Sequence, residues 1–188
     1  MTNRVQFNSL DVIPAFGAPL YLTTIEIPLG YTHHCNQLIY HRETNKTIQS
    51  DIATEYRAWH NLIHTQLAQF CGIIGLRNDI GEYTLKASYV RKVEPGEKVD
   101  ITGTYSSAFT GVCFFNQVDC DMIWTSPYDS WRTATSKFAF LDDNLLNSNS
   151  WSFKPNVGQL SIYPSSMSLQ VTENKTNESI YLLEFYLE

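Results

Sequence analysis

Five histidines, four cysteines and a few paired carboxylates are the side chains here that could hold a metal or activate a nucleophile. The histidines are His33, His34, His41, His60 and His64, and none follows His64. His60 and His64 are spaced i, i+4, so on a helix both imidazoles project from one side, the spacing of a two-histidine metal clamp. His33 and His34, followed by Cys35, make a second group of possible donors. A structural zinc takes four such ligands and a catalytic one three, and no spacing here fixes a third. The less demanding reading sets His60 and His64 beside the apolar stripe of a helix. Asp119 and Asp121 flank Cys120. On a strand, period two would turn both carboxylates to one face, suited to a cation or a general base; in a turn they would be solvated. Asp142 and Asp143 fall in a loop-like stretch. Cys113 lies in an aromatic strand, where a buried, inert thiol is the simpler reading than a nucleophile. Trp59, Trp124, Trp131 and Trp151 read as core or interface residues rather than a ligand cage. No P-loop, dinucleotide fingerprint or G-x-S-x-G motif occurs.

The elements that must position these residues are mostly strands. The chain has 188 residues, 43% hydrophobic and 13% aromatic, with 10 Phe, 11 Tyr and 4 Trp. That suits a single domain spanning 1–188, and the aromatic share favours pleated, half-buried surfaces. "PAFGAPLYLTTIEIPLG" reads as an early strand bounded by Pro19 and Pro28. "YTHHCNQLIYHRETNK" reads as a polar connection. The apolar positions Ile48, Ile52, Tyr56, Trp59, Ile63, Leu67 and Phe70 recur in steps of three and four, which predicts one long amphipathic helix over Thr47–Phe70. Gly72 is its stop. From Tyr83 the chain predicts short strands at Tyr83–Lys92, Lys98–Thr102, Ala108–Asn116, Met122–Ser126, Lys137–Phe140, Gln159–Tyr163, Ser168–Glu173 and Ser179–Tyr186. "EPGEK" and "NVGQ" are turns, and "LDDNLLNSNSW" is a surface loop. Short strands separated by such turns define a sandwich or jelly roll with the helix packed on a sheet.

Composition excludes some partners. Net charge is −6 and the pI about 5.3, with Arg91-Lys92 the densest basic spot, so no footprint for phosphates exists and no direct contact with nucleic acid is expected. No run approaches about 18 apolar residues, so no membrane span is expected. "MTNRVQFNSL" lacks the apolar core of a signal peptide, so secretion is not expected, and Cys35, Cys71, Cys113 and Cys120 read as reduced thiols.

The order of these pieces resembles the 2-oxoglutarate and Fe(II)-dependent oxygenases, and within them a small group found in bacteria and tailed bacteriophages. "PAFGAPLYLTTIEIP" is similar to the family's opening strand, and Thr47–Phe70 to the helix that follows. "TLKASYVRKVEPGE" is similar to its strand with an aromatic, and "FTGVCFF" to the end of its ligand-bearing strand, Ser-Gly-Val-Tyr-Tyr. "IYPSSMSLQVTENKTNESIYLLEFYL" has the shape of its Phe-Pro-Ser turn, distal ligand strand, Asn and closing strand. The fold this implies is mainly β, a double-stranded β-helix, which is a jelly-roll variant.

In that family two histidines and a carboxylate or third histidine hold iron, and an arginine pairs with the cosubstrate. Matching on Gly111, in the stretch "VDITGTYSSAFTGVCFF", the resemblance puts the first two ligand positions at Thr102 and Thr104. Matching on Pro164 and Asn174 puts the distal histidine at Leu169 and the arginine near Ile180, with Lys175 the nearest basic residue. Threonine is a poor iron ligand, and leucine and isoleucine offer no ligand atom. The resemblance therefore implies a degenerate member that takes no cofactor and is not an enzyme. The expected role is a scaffold in protein assembly, a structural component of a tailed-phage virion, with other virion proteins as partners. Such a protein is made in the host cytoplasm and resides in the virion. The contacts are expected from Met1–Ser9, Tyr31–Lys46 and the "LDDNLLNSNSW" loop. One alternative is an Fe(II)/2-oxoglutarate oxygenase whose ligands come from elsewhere, with His33, His34, His41 and the helix pair His60 and His64 the candidates. Another is a small-molecule binding module.

Overall fold

The computed structural model describes residues 11–15, 18–27, 30–55, 57–76, 84–103, 106–125 and 150–188. The expected strand Lys137–Phe140, Trp131, Asp142, Asp143, Tyr56, Thr104, Met1–Ser9 and most of the "LDDNLLNSNSW" loop lie outside them.

Among the described residues, ten strands and three helices follow in the order β1 (Asp11–Ala15), β2 (Ala18–Thr24), α1 (Tyr31–Cys35), α2 (Ile52–Glu55), α3 (Arg57–Ile73), β3 (Leu85–Val93), β4 (Val99–Thr102), β5 (Phe109–Phe114), β6 (Met122–Thr125), β7 (Ser150–Phe153), β8 (Gln159–Pro164), β9 (Ser168–Val171) and β10 (Ile180–Leu187). They build a six-stranded sheet, β1-β2-β8-β5-β10-β3, and a four-stranded sheet, β4-β9-β6-β7. Every strand pairing is antiparallel. The jelly roll expected from the sequence is the observed fold.

Two apolar cores lie on the two faces of the larger sheet. On one, Trp59, Ile63, Leu67 and Phe70 of α3 pack onto Tyr21, Val90, Cys113, Ile162, Leu183 and Phe185. On the other, Leu20, Leu22, Val112, Phe114, Tyr163, Ile180 and Leu182 meet Ile101, Met122, Trp124, Leu169 and Val171 of the smaller sheet. Strand β10 feeds both cores and is buried along its whole length, which is why "IYLLEFYL" reads as a continuous apolar run rather than an alternating one. Its neighbour β5 carries Gly111 opposite Phe185. A Cβ at Gly111 would lie 1.9 Å from the Phe185 ring, so the glycine exists to seat that ring.

The helix is shorter at its start than the periodicity predicts. Residues 47–51 form bridges beside β3 instead. Thr47 accepts from the Val90 amide through its hydroxyl at 3.2 Å and donates its own amide to the Val90 carbonyl at 2.9 Å. A threonine that bonds to backbone in this way competes with helix. Ile48, counted in the apolar stripe, is accordingly exposed. The Ser88 hydroxyl of β3 then caps the true helix start, accepting from Ala53 N at 2.8 Å. The polar connection after Tyr31 contains α1, and the expected loop ending at Trp151 ends in strand β7.

Candidate functional site

The space between the two sheets is where a jelly roll holds ligands, and two of the positions implied by the resemblance, Leu169 and Ile180, lie in it. Ile101 pairs with Leu169 and Thr102 with Ser168, while Leu169 also pairs with Trp124. Leu169 is 1% exposed and Ile180 is fully buried, both in the inter-sheet core. Thr102, at the end of β4, is exposed. Lys175 lies in the turn before β10, its amide donating to the Asp119 carbonyl at 3.0 Å.

A polar group interrupts this apolar lining. Ile180 and Leu182 face the inter-sheet core, and period two sends Glu184 and Tyr186 to the same face. The Glu184 side chain is fully buried and fully paired. Arg91 of β3 sets Nε and Nη2 each 2.8 Å from Oε2. Lys46 Nζ ion-pairs with Oε1, and the Tyr186 hydroxyl donates to the same oxygen. The Lys46 ammonium also sits 5.0 Å from the Tyr89 ring centroid and 5.6 Å from that of Tyr186. Arg91 Nη1 donates to the Thr44 carbonyl at 3.3 Å, and Tyr186 Oη approaches the Thr102 carbonyl at 3.5 Å. Burial pushes the Glu184 carboxyl up, but Arg91 and Lys46 outweigh it and hold it below its ordinary pKa. Burial, then the Glu184 charge, push the Tyr186 hydroxyl well up, so it stays a donor.

Beside this group, Ser165 Oγ lies 2.9 Å from Ser107 Oγ and 2.8 Å from Thr110 Oγ1. Trp124 Nε1 and Tyr163 Oη, both buried, make no hydrogen bond among the described residues. Their rings meet edge to face at 6.2 Å.

The other candidates are scattered. His33 and His34 lie on α1, with His33 Nε2 3.4 Å from Gln37 Nε2. His60 and His64 are half-buried on α3, their rings 4.3 Å apart. No three His, Cys, Asp or Glu side chains converge on a metal position among the described residues. Asp119 and Asp121 lie in the connection between β5 and β6, not on a strand face. Asp119 pairs with Lys154 at 2.5 Å, and this bond lowers its pKa. The Asp121 carbonyl and amide serve Thr172. All four cysteines are buried and none is in a disulfide. Burial pushes the thiols of Cys35 and Cys120 up to about 12 and that of Cys113 further, and Cys113 is buried as its strand suggests. Trp59 and Trp124 are core residues and Trp151 is half-buried.

Sequence reasoning passed over Glu184, Arg91, Lys46, Tyr89 and Tyr186. The available signal was a single carboxylate inside the apolar run of β10, because a buried charge demands a partner.

No protein-family model and no curated protein sequence matches the chain. Solved structures do. A prolyl-4-hydroxylase from Pseudomonas putida superposes with a TM-score of 0.50 at 11% identity, over 92% of this chain and 94% of that one. A 2OG-Fe(II) oxygenase family oxidoreductase from Burkholderia pseudomallei gives 0.48 at 11% identity, over 94% and 72% of the two chains. An N-substituted L-amino acid dioxygenase from Burkholderia ambifaria, solved in complex with alpha-KG, gives 0.37 at 13% identity, over 89% and 85%. The chain has the double-stranded β-helix fold of the 2OG-Fe(II) oxygenases. At such identity the likeness is one of fold.

This overturns one expectation. The reading that the chain takes no cofactor does not stand, since a solved protein with this fold is a prolyl-4-hydroxylase. The residues at the implied positions still do not fit Fe(II) and 2-oxoglutarate: Leu169 and Ile180 are hydrocarbon, and Thr102 offers a neutral hydroxyl. A donor set for iron would have to come from other residues. No helix of the described residues is long and apolar enough to cross a membrane.

Proposed function

We propose that this chain uses an oxygenase-like jelly roll to hold other proteins in a larger assembly, as a structural component of a tailed-phage virion, rather than to catalyse at the Thr102, Leu169 and Ile180 positions. The observation behind this reading is the packing of the inter-sheet space. Leu169 and Ile180 sit in one apolar cluster with Trp124, Met122 and Leu182, and an interior packed by hydrocarbon serves stability. The connection after Tyr31 adds support. Ile39 and Ile48 are adjacent across it, with Ile48 N donating to Ile39 O at 3.1 Å. They are 73% and 54% exposed, and apolar side chains exposed side by side suit an interface.

The test is quantitative protein analysis of purified particles alongside assays of the isolated protein. The expected result is a fixed copy number per particle, with amides of residues 31–48 exchanging hydrogen more slowly in the particle than in isolation. Absence from particles, together with Fe(II)-dependent turnover of 2-oxoglutarate by the purified chain, would replace this reading with the oxygenase one.

A further inference from the structure

We infer that Glu184, Tyr89 and Tyr186 form a cage for a primary alkylammonium group, which the chain fills with its own Lys46. The Lys46 ammonium has a buried carboxylate oxygen on one side and two tyrosine rings within 5.6 Å of it. Ion pairing and the negative faces of aromatic rings are the two elements that recognise alkylammonium ions. Tyr186 serves twice, offering its ring to the cation and its hydroxyl to the carboxylate.

The cage does not need Lys46 in order to stand. Arg91 is bonded to the other carboxylate oxygen, Oε2, and anchored on the Thr44 carbonyl. With Lys46 withdrawn, Glu184 remains paired with Arg91, the net charge of the group falls from +1 to zero, and Oε1 is left short of one donor. Lys46 itself is 22% exposed, so its position is reachable from solvent. Its backbone belongs to a short hairpin, Tyr40 bridging Thr47, that lies along β3 through bonds such as Lys92 N to Asn45 O at 2.9 Å and Thr47 N to Val90 O at 2.9 Å. Asn45 adopts a positive φ of 52° just before the lysine, the conformation that closes this tight turn. Glu184 and its partners thus make a cation site stoppered by an internal lysine on a peripheral hairpin, and a lysine of another protein or a free amine has the chemistry to replace it. A primary ammonium is favoured over a quaternary one, which has no N–H for Oε1. A guanidinium is disfavoured because Arg91 already takes the neighbouring oxygen.

Lys46→Ala removes the atoms of an n-propylammonium ion, so that ion is the probe. Thermal unfolding of Lys46→Ala is followed with n-propylammonium chloride, and with tetramethylammonium chloride or sodium chloride at equal ionic strength. The expected result is a lowered Tm that climbs back saturably with n-propylammonium alone. Adding Glu184→Gln to Lys46→Ala should abolish that recovery. Nα-acetyl-lysine amide distinguishes the sources: recovery at lower concentration than n-propylammonium assigns the site to a polypeptide lysine, and at higher concentration to a free amine. Equal effects of n-propylammonium, tetramethylammonium and sodium would overturn the proposal. Should Lys46→Ala not fold, the wild-type chain is read by hydrogen exchange. There, n-propylammonium should speed exchange across residues 40–47 relative to tetramethylammonium, and unchanged exchange would equally overturn it.

Discussion

The two faces of β10 are held by different physics. Tyr181, Leu183, Phe185 and Leu187 enter the core beneath α3, which is apolar and aromatic throughout. Ile180 and Leu182 enter the inter-sheet core, but Glu184 on the same face is a buried charge with Arg91, Lys46 and Tyr186 gathered on it. Apolar packing tolerates volume-conserving exchange. A buried carboxylate tolerates the loss of a partner badly, because the oxygen left short of a donor has no water to replace it. The helix face of the strand is therefore forgiving in detail, and the other face is specific.

The largest effect expected from that contrast is on Arg91. Arg91→Ala should lower stability by about 3–5 kcal/mol, the usual penalty for breaking a buried pair from one side. Replacing the group together, with Arg91→Met, Glu184→Leu and Lys46→Met in one chain, should cost far less or stabilise, since hydrocarbon of similar volume removes the desolvation penalty. Urea unfolding of the two variants gives the comparison. Equal losses would mean that the group is held by packing rather than by charge.

Next is the seat of Phe185. Gly111→Ala puts a methyl into the Phe185 ring, with atoms at 1.9–2.5 Å from the new Cβ. Overpacking of this kind costs about 1–3 kcal/mol. Phe185→Leu added to Gly111→Ala should return part of that loss, whereas additive losses would show that the ring is not what the glycine accommodates.

How much of this was legible follows the range of the interactions. The α3 stripe announces itself through its period of 3.6, and the strands β3 to β6 and β8 to β10 through short alternating or continuous apolar runs between turn signals. The stretch 47–51 does not, because its helical pattern is overridden by bonds from Thr47 to Val90, far along the chain. Strand β7 follows a run of Asn and Ser, where only its pairing with β6, Trp151 opposite Trp124, makes it a strand. Of the positions that the resemblance implies, Leu169 and Ile180 lie in the inter-sheet core, whereas Thr102 is exposed beside the buried Ile101. The Glu184 group could not be read from the sequence, because its members stand at 46, 89, 91, 184 and 186 and no local pattern joins them.

A smaller effect is expected from pH. Burial raises the Glu184 carboxyl, and Arg91 and Lys46 lower it by more, so its folded pKa lies below the ordinary 4.5. The folded chain then binds fewer protons at this site than the unfolded one. Its contribution to stability is complete above the unfolded value, shrinks as pH falls through that value, and is gone below the folded pKa. The urea midpoint of the wild type should therefore fall more steeply than that of Glu184→Gln once the pH drops below about 4.5. Parallel curves would place the acid sensitivity in other carboxylates.

The smallest effect on stability is expected where the molecule is least enclosed. Ile39 and Ile48 are exposed and neighbours across the Tyr40–Thr47 bridge. Ile39→Ser and Ile48→Ser should each change stability by no more than about 0.5 kcal/mol, as surface substitutions do. Both faces of β10 are far more sensitive, so these variants separate folding from association. If the pair is an interface, the double variant should fold normally and be taken into particles at reduced copy number, because an apolar contact is lost without altering the domain. A double variant that folds normally and is incorporated at the wild-type level would remove these isoleucines from the interface. One that unfolds as readily as Arg91→Ala would instead show that the hairpin they occupy helps to hold the sheet, and that the inter-sheet face of β10 extends its dependence on Lys46 out to this edge.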